Sequence, residues 1–140
     1  MIETPTQDDL QQIALSLMHA QQTVADILHA ELDGSKNDLA LIQRALESGT
    51  IDPEAEYTIR ALGLAFGKVF VNTESGYDWR MINDEYGRDP AVRYQQTSLT
   101  FHPQDMLLKR VEQGEQFDVA ELYQGLRSQL QEIIDGSDLS

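Results

Sequence analysis

The chain has 140 residues and carries 24 acidic against 10 basic side chains, a formal net charge of −14 with a pI near 4.3. This charge disfavours binding of duplex nucleic acid, because such proteins neutralise phosphates with Lys and Arg. The absence of cysteine excludes a disulfide scaffold and a thiolate zinc site. The length and the 41% of apolar residues predict one folded domain over residues 1–140.

The sequence indicates neither a signal peptide nor a membrane-spanning segment. The segment Met1-Ile2-Glu3-Thr4-Pro5 lacks the basic and apolar regions of a signal peptide. The longest apolar stretch, residues 61–71, includes Lys68 and is shorter than the ~20 residues of a membrane span. We therefore expect no membrane partner, and the absence of cysteine favours a cytoplasmic location.

The N-terminal third shows apolar residues at helical spacing. Thr6 and Asp9 form a capping-box pattern at the start of the first helix, which we expect to end at Gly34. A shorter second helix is predicted to end at Gly49. Together they predict an N-terminal helical pair over residues 1–50.

A third helix is predicted from Asp52, Pro53 and Glu54, which suit an N-cap and a first turn. It is apolar on more than one face, a pattern typical of a central buried helix. Gly63 and Gly67 lie four residues apart within it, which indicates that another element packs close to its backbone. A membrane dimer motif would need an apolar segment of about 20 residues.

The periodicity then changes to the two-residue alternation of a strand, starting at Tyr77. A turn-rich stretch over residues 83–90 and two further short strands, at residues 91–94 and 98–101, complete a predicted meander. Two C-terminal helices follow. The expected fold is α+β, with helices surrounding a small three-stranded antiparallel sheet and a helix–sheet–helix core at residues 52–135.

Several segments between Ala61 and Ile134 form a recognisable set. They are Leu62-Gly63-Leu64-Ala65-Phe66-Gly67, Trp79, Asp84-Glu85-Tyr86-Gly87-Arg88-Asp89-Pro90, Phe101-His102-Pro103, Met106-Leu107-Leu108-Lys109-Arg110-Val111-Glu112 and Asp118-Val119. This set resembles a bacterial family known only as domain of unknown function 3806. The resemblance implies a bacterial source and one compact domain, and it implies no reaction and no catalytic residue.

The richest polar cluster lies in the turn-rich stretch. Its carboxylates could bind a cation or act as an acid–base pair, although their spacing is not that of a calcium loop. A structural hairpin is favoured, in which Gly87 takes a positive φ and Pro90 fixes the strand entry. A recognition surface and a catalytic or metal site remain alternatives. The candidate binding residues are Trp79, Asp84, Glu85, Tyr86, Arg88 and Asp89.

Trp79 has two interpretations, as an anchor between sheet and helices or as a partly exposed interface residue. The sequence has no nucleophile-elbow, phosphate-loop or dinucleotide-binding glycine pattern, and its three histidines do not form a zinc motif. We therefore predict no catalytic residue, no metal and no cofactor.

The favoured hypothesis is a non-catalytic acidic protein that binds a basic partner protein, for example an immunity or inhibitor protein for a basic toxin, or a nucleic-acid mimic. One alternative is a hydrolase that uses Asp84, Glu85 or Asp89 together with Arg88. The other is an oligomeric accessory module that pairs through its first helix.

Overall fold

The computed structural model describes residues 1–136. Within that range the protein has an α+β fold of five helices and a four-stranded antiparallel sheet. The elements in chain order are β1 (Ile2–Glu3), α1 (Gln7–Leu28), α2 (Asn37–Glu47), α3 (Glu56–Thr73), β2 (Tyr77–Asp84), β3 (Gly87–Tyr94), β4 (Thr100–Phe101), α4 (Pro103–Glu112) and α5 (Val119–Gly136). In this range no helix is both long and apolar enough to cross a bilayer.

The sheet has the order β1-β2-β3-β4, one strand more than the three predicted. The additional strand is β1, in which Ile2 pairs with Ile82 and Glu3 pairs with Met81. A strand of two residues is too short to show an alternating pattern. The pairing brings the N-terminus of the chain to the edge of the central hairpin.

The turn-rich stretch is mostly paired strand, contrary to the prediction. Asp84 pairs with Gly87, so only Glu85 and Tyr86 form the turn. Gly87 has a φ of 122°, as expected for a positive-φ position. The outer end of the hairpin carries polar residues, and such a segment lacks the apolar alternation by which strands are recognised.

Helix α3 is the centre of the molecule, as its apolar character predicted. Its buried side chains form one core with residues of α1, α2, α4 and α5. The helix starts at Glu56 and not at Asp52 as predicted. Asp52 instead accepts a hydrogen bond from the Glu54 amide at 2.9 Å and closes a turn ahead of the helix.

The start of α4 lies directly on the backbone of α3. A Cβ atom at Gly63 would lie 2.6 Å from Gln104 Cα, and one at Gly67 would lie 2.5 Å from the Pro103 ring. The predicted close approach of another element is therefore confirmed. We call this contact between Gly63, Gly67, Pro103 and Gln104 the glycine seam.

Helix α1 begins with the predicted capping box. The Thr6 amide donates to Asp9 Oδ2 at 2.8 Å, and the Asp9 amide donates to Thr6 Oγ1 at 3.1 Å. The helix ends at Leu28, six residues before the predicted Gly34, because His29 adopts a left-handed conformation with a φ of 53°. Helical spacing of apolar residues therefore continued past the true end of the helix.

The loop after α1 is closed by a buried carboxylate. Asp38 accepts hydrogen bonds from the amides of Asp33 at 3.0 Å and Gly34 at 2.8 Å. Burial raises the pKa of Asp38, and the two amide donors oppose that shift. This contact fixes α2 relative to the end of α1.

Candidate functional site

The predicted site residues fall into two groups. Asp84, Glu85 and Tyr86 form the hairpin tip and point away from the core, with Tyr86 86% exposed. Asp84 Oδ1 accepts a hydrogen bond from the Tyr86 amide at 2.9 Å, which orders the turn. These three residues are neighbours, and none of them lines the cavity described below.

Arg88 lies further down the hairpin and ties three elements together. Its Nε and terminal nitrogen donate to the two carboxylate oxygens of Asp9 at 3.2 and 2.5 Å, and its second terminal nitrogen pairs with Glu3. This is a bidentate pair with α1 and a further pair with β1. We call Arg88, Glu3 and Asp9 the arginine clamp.

The clamp shifts the titration of its carboxylates. Hydrogen bonds from Arg88 hold the pKa of Asp9 and the pKa of Glu3 below their ordinary values. The same contacts raise the pKa of Arg88, so the guanidinium stays charged. All three groups are therefore ionised at neutral pH.

Asp89 belongs to a second ion-pair group. Its Oδ1 lies 3.7 Å from a terminal nitrogen of Arg60 on α3, and the other terminal nitrogen of Arg60 donates to Asp105 at 2.6 Å. Asp89 and Arg88 thus reach different partners although they are adjacent in sequence. Arg60 and Asp105 were not among the predicted site residues.

Trp79 contacts the glycine seam. Its Cη2 atom lies 3.1 Å from the position of a Cβ atom at Gly67, and the residue is half-buried. The neighbouring Tyr77 packs edge-on against Phe70 of α3 with ring centroids 4.8 Å apart. The face of the sheet that carries Trp79 and Tyr77 therefore packs on α3.

A cavity of about 220 Å³ lies between α1, α3, the hairpin and the start of α4. Its apolar part is formed by four buried side chains and a half-buried proline: Ile13, Ala61, Leu64, Met81 and Pro90. Its polar part includes Arg88 and Asp9 of the clamp, Arg60, and Tyr57, which is 58% exposed. Arg88 of the hairpin and Arg60 of α3 thus border the same cavity.

Gln104 is the most buried polar residue of the cavity lining, at 1% exposure. Its Nε2 donates to the Pro90 carbonyl at 2.7 Å, while Oε1 has no hydrogen-bond partner within residues 1–136. Buried polar atoms are nearly always paired, so this acceptor is exceptional. The pattern around Gly63 was the one sequence signal near it, because Gln104 lies on that glycine.

The cavity lining combines the paired charges of Arg88, Asp9 and Arg60 with the polar side chains of Gln12, Ser16 and Tyr57. Within residues 1–136 no group of three or more His, Asp or Glu side chains is placed to hold a metal ion. Of the carboxylates considered for a hydrolase, Asp84 and Glu85 are exposed at the hairpin tip, and only Asp89 reaches an arginine of the cavity lining.

Helix α1, which was predicted as a surface for self-association, exposes three large apolar side chains: Leu10, Leu15 and Met18.

Comparison with proteins of known sequence and structure gives two matches. A crystal structure from Bacteroides thetaiotaomicron is similar, with a TM-score of 0.80 and 25% sequence identity over 89% of this chain and 47% of that one. This chain therefore spans about half the length of that protein. No curated protein matches the chain.

The second match is to a family of proteins defined by a domain of unknown function (DUF3806), over residues 38–123. The match begins in α2, earlier than the segment that carried the resemblance in sequence, and it ends within α5. It includes the glycine seam, Arg88 and Gln104, whereas α1 with Asp9 precedes it. The chain belongs to the DUF3806 family.

Proposed function

We propose that the protein is a non-catalytic binding protein that recognises a basic partner protein through the hairpin tip and neighbouring acidic helix faces. The observation that carries this proposal is Tyr86, which is 86% exposed and directly follows Asp84 and Glu85 in the hairpin turn. Tyrosine is favoured among residues that dominate interface energies. Two carboxylates beside it supply complementarity to a basic surface.

The tip is held in a defined position. Paired strands run up to Asp84 and Gly87, and the arginine clamp attaches the hairpin to α1 and β1. A surface that is ordered before binding loses less conformational entropy when the partner docks. The clamp therefore supports recognition without touching the partner.

The charge of the chain supports a basic partner. The net charge is −14, and within residues 1–136 neither Asp84 nor Glu85 forms an ion pair. Their charge is thus free to attract a cationic surface and to speed association. An immunity or inhibitor protein for a basic toxin would have this character, and the chain without cysteine suits the cytoplasm.

The test compares three baits in affinity purification from the native bacterial host. They are the wild type, a tip variant with Asp84→Asn, Glu85→Gln and Tyr86→Ala, and a control with Glu112→Gln and Glu132→Gln, two exposed acids on other elements. We expect one stoichiometric basic protein on the wild type and the control, and its loss from the tip variant. The partner should elute between ~0.1 M and ~1 M salt, as screening shortens the Debye length from about 10 Å to about 3 Å.

Two outcomes contradict the proposal. One is a partner that the tip variant retains as well as the wild type does, which would place the contact elsewhere. The other is the recovery of no stoichiometric protein at low salt.

A further inference from the structure

A groove of about 590 Å³ lies between α4 and α5. Its floor consists of four apolar side chains that pack against the core and are only half-buried: Met106, Phe117, Leu122 and Leu126. Apolar surface therefore remains open to solvent along the groove. We call this space the α4–α5 groove.

Gly125 lies in the middle of the α5 face that lines the groove. Leu122, Gly125 and Gln129 are spaced by three and four residues, so they form one stripe on the helix. Glycine is among the least favourable residues in a helix interior. No atom of residues 1–136 lies within 4 Å of the position of a Cβ atom at Gly125, so packing within this range does not explain the glycine.

The glycine seam shows what a glycine within a helix does elsewhere in this protein. At Gly63 the backbone of α4 packs directly on α3, and a Cβ atom would lie 2.6 Å from Gln104 Cα. Gly125 offers the same kind of bare helix backbone, but the space above it is open. It therefore permits the close approach of a backbone from another molecule.

The rim of the groove is acidic. Glu115, Asp118 and Glu121 are exposed there, and Arg110 is the one basic residue of the lining, with its Nε atom 3.8 Å from Glu115 Oε2. The lining thus has three acids and one base, a net charge of −2. An occupant with Lys or Arg beside its apolar surface complements this rim.

The walls of the groove favour a helical occupant. Both walls are helices, and helix backbone groups bond within their own helix, so an added strand finds no edge to pair with. An amphipathic helix instead places its apolar face in a hydrophobic groove.

From these observations we propose that the α4–α5 groove binds an amphipathic helix of a partner protein. The apolar face of that helix lies on the groove floor, its Lys or Arg side chains lie on the acidic rim, and its backbone approaches Gly125. The hairpin-tip residues do not line this groove, so the proposal is independent of the function proposed for the tip.

The experiment titrates the full chain with two peptides and follows amide chemical shifts. The probe has about 14 residues, or four helical turns, of Leu and Lys with all Leu on one helix face. The control peptide has the same composition with Leu and Lys in strict alternation, so it has the same charge but no apolar helix face. We expect saturable binding of the probe with a dissociation constant of about 100 μM or lower, and the largest shifts at the groove residues. The control peptide should bind at least about tenfold more weakly, because charge alone attracts it.

Two substitutions to leucine on α5 provide a matched pair. Gly125→Leu fills the groove where the backbone of the peptide is expected, so it should weaken binding of the probe at least about tenfold. The adjacent Gln124 is exposed and does not line the groove, so Gln124→Leu should leave binding unchanged. Leucine is a strong helix former and both positions are exposed, so both variants should fold.

A second pair tests the acidic rim. Glu121→Gln should weaken binding of the probe about two- to fivefold, the range of an exposed ion pair. Glu132→Gln removes an exposed acid of α5 outside the groove and should have no effect. The hairpin-tip variant should bind the probe as the wild type does, so a failure of tip binding and a failure of groove binding can be distinguished.

Three results would overturn the proposal. Equal binding of the two peptides would reduce the interaction to charge attraction. Equal binding by Gly125→Leu and Gln124→Leu would place the peptide outside the groove. Shifts of the groove residues that depend on protein concentration without peptide would make a second copy of the chain the occupant.

Discussion

The glycine seam and the arginine clamp border the same cavity but hold it by different means. In the seam, Gly63 and Gly67 let the start of α4 approach the backbone of α3, with no space for a Cβ atom. In the clamp, the Arg88 and Glu3 side chains are each about 30% exposed and are joined by charge. Because the seam acts through close packing and the clamp through charge, we expect the seam to affect mainly the stability of this region and the clamp mainly the dependence of that stability on pH.

The largest expected effect is in the seam. Gly63→Ala would place a Cβ atom 2.7 Å from the Pro103 carbonyl oxygen and 2.6 Å from Gln104 Cα, both backbone atoms that cannot rotate away. Overpacking typically costs about 1–3 kcal/mol, and we expect a net loss of about 2 kcal/mol in the free energy of unfolding. Chemical denaturation measures this loss.

The matched control for this substitution is Gly125→Ala. Gly125 lies in α5 and has nothing within 4 Å of its Cβ position. This variant should gain about 0.5–1 kcal/mol from the higher helix propensity of alanine. Equal stability of Gly63→Ala and the wild type would show that the seam tolerates a side chain. The expected difference between the seam and the clamp would then not exist.

A smaller effect is expected in the clamp. Arg88→Met removes the hydrogen bonds that lower the pKa of Asp9 and of Glu3. The ordinary pKa values are 3.8 for Asp9 and 4.5 for Glu3. Because both pKa values are lowered in the folded protein, the clamp stabilises the fold at any pH above these ordinary values. This stabilisation is lost as the pH falls through the lowered pKa values. The melting temperature of the variant should therefore lie below that of the wild type at neutral pH, and the gap should narrow in acid.

The measurement is the melting temperature from about pH 7 to about pH 2, with Arg44→Met as a control for the loss of an exposed arginine on α2. The control should run parallel to the wild type across this range. A gap for Arg88→Met that stays constant with pH would mean that the clamp does not act through these carboxylates.

The smallest effect on stability is expected beyond the clamp, at the hairpin tip. Tyr86→Ala removes a side chain that is 86% exposed, so the free energy of unfolding should change by no more than about 0.5 kcal/mol. Chemical denaturation checks this value. A larger loss would mean that the tip contributes to the fold, and loss of partner binding could then no longer be assigned to direct contact.

The sequence predicted those parts of the fold that depend on neighbouring residues. The Thr6–Asp9 capping box, the central helix, the hairpin glycine and the family all followed from local patterns. Local patterns failed at boundaries. Apolar spacing continued past His29, and the polar end of the hairpin was taken for a turn.

The candidate site depended on contacts between distant parts of the chain. Arg88 was a predicted site residue, but its partners Asp9 and Glu3 lie 79 and 85 residues away along the chain. Gln104 was not predicted, because nothing in the sequence shows that its side chain is buried.

The sequence alone therefore determined the α+β class, the central glycine helix and the acidic character of the protein, since each follows from composition or short-range periodicity. The tertiary structure decided which charges are paired and which are free. It joined Arg88 to the N-terminus and left Asp84 and Glu85 in solvent. It also buried the side chain of Gln104, because α4 packs directly on the backbone of α3 at Gly63.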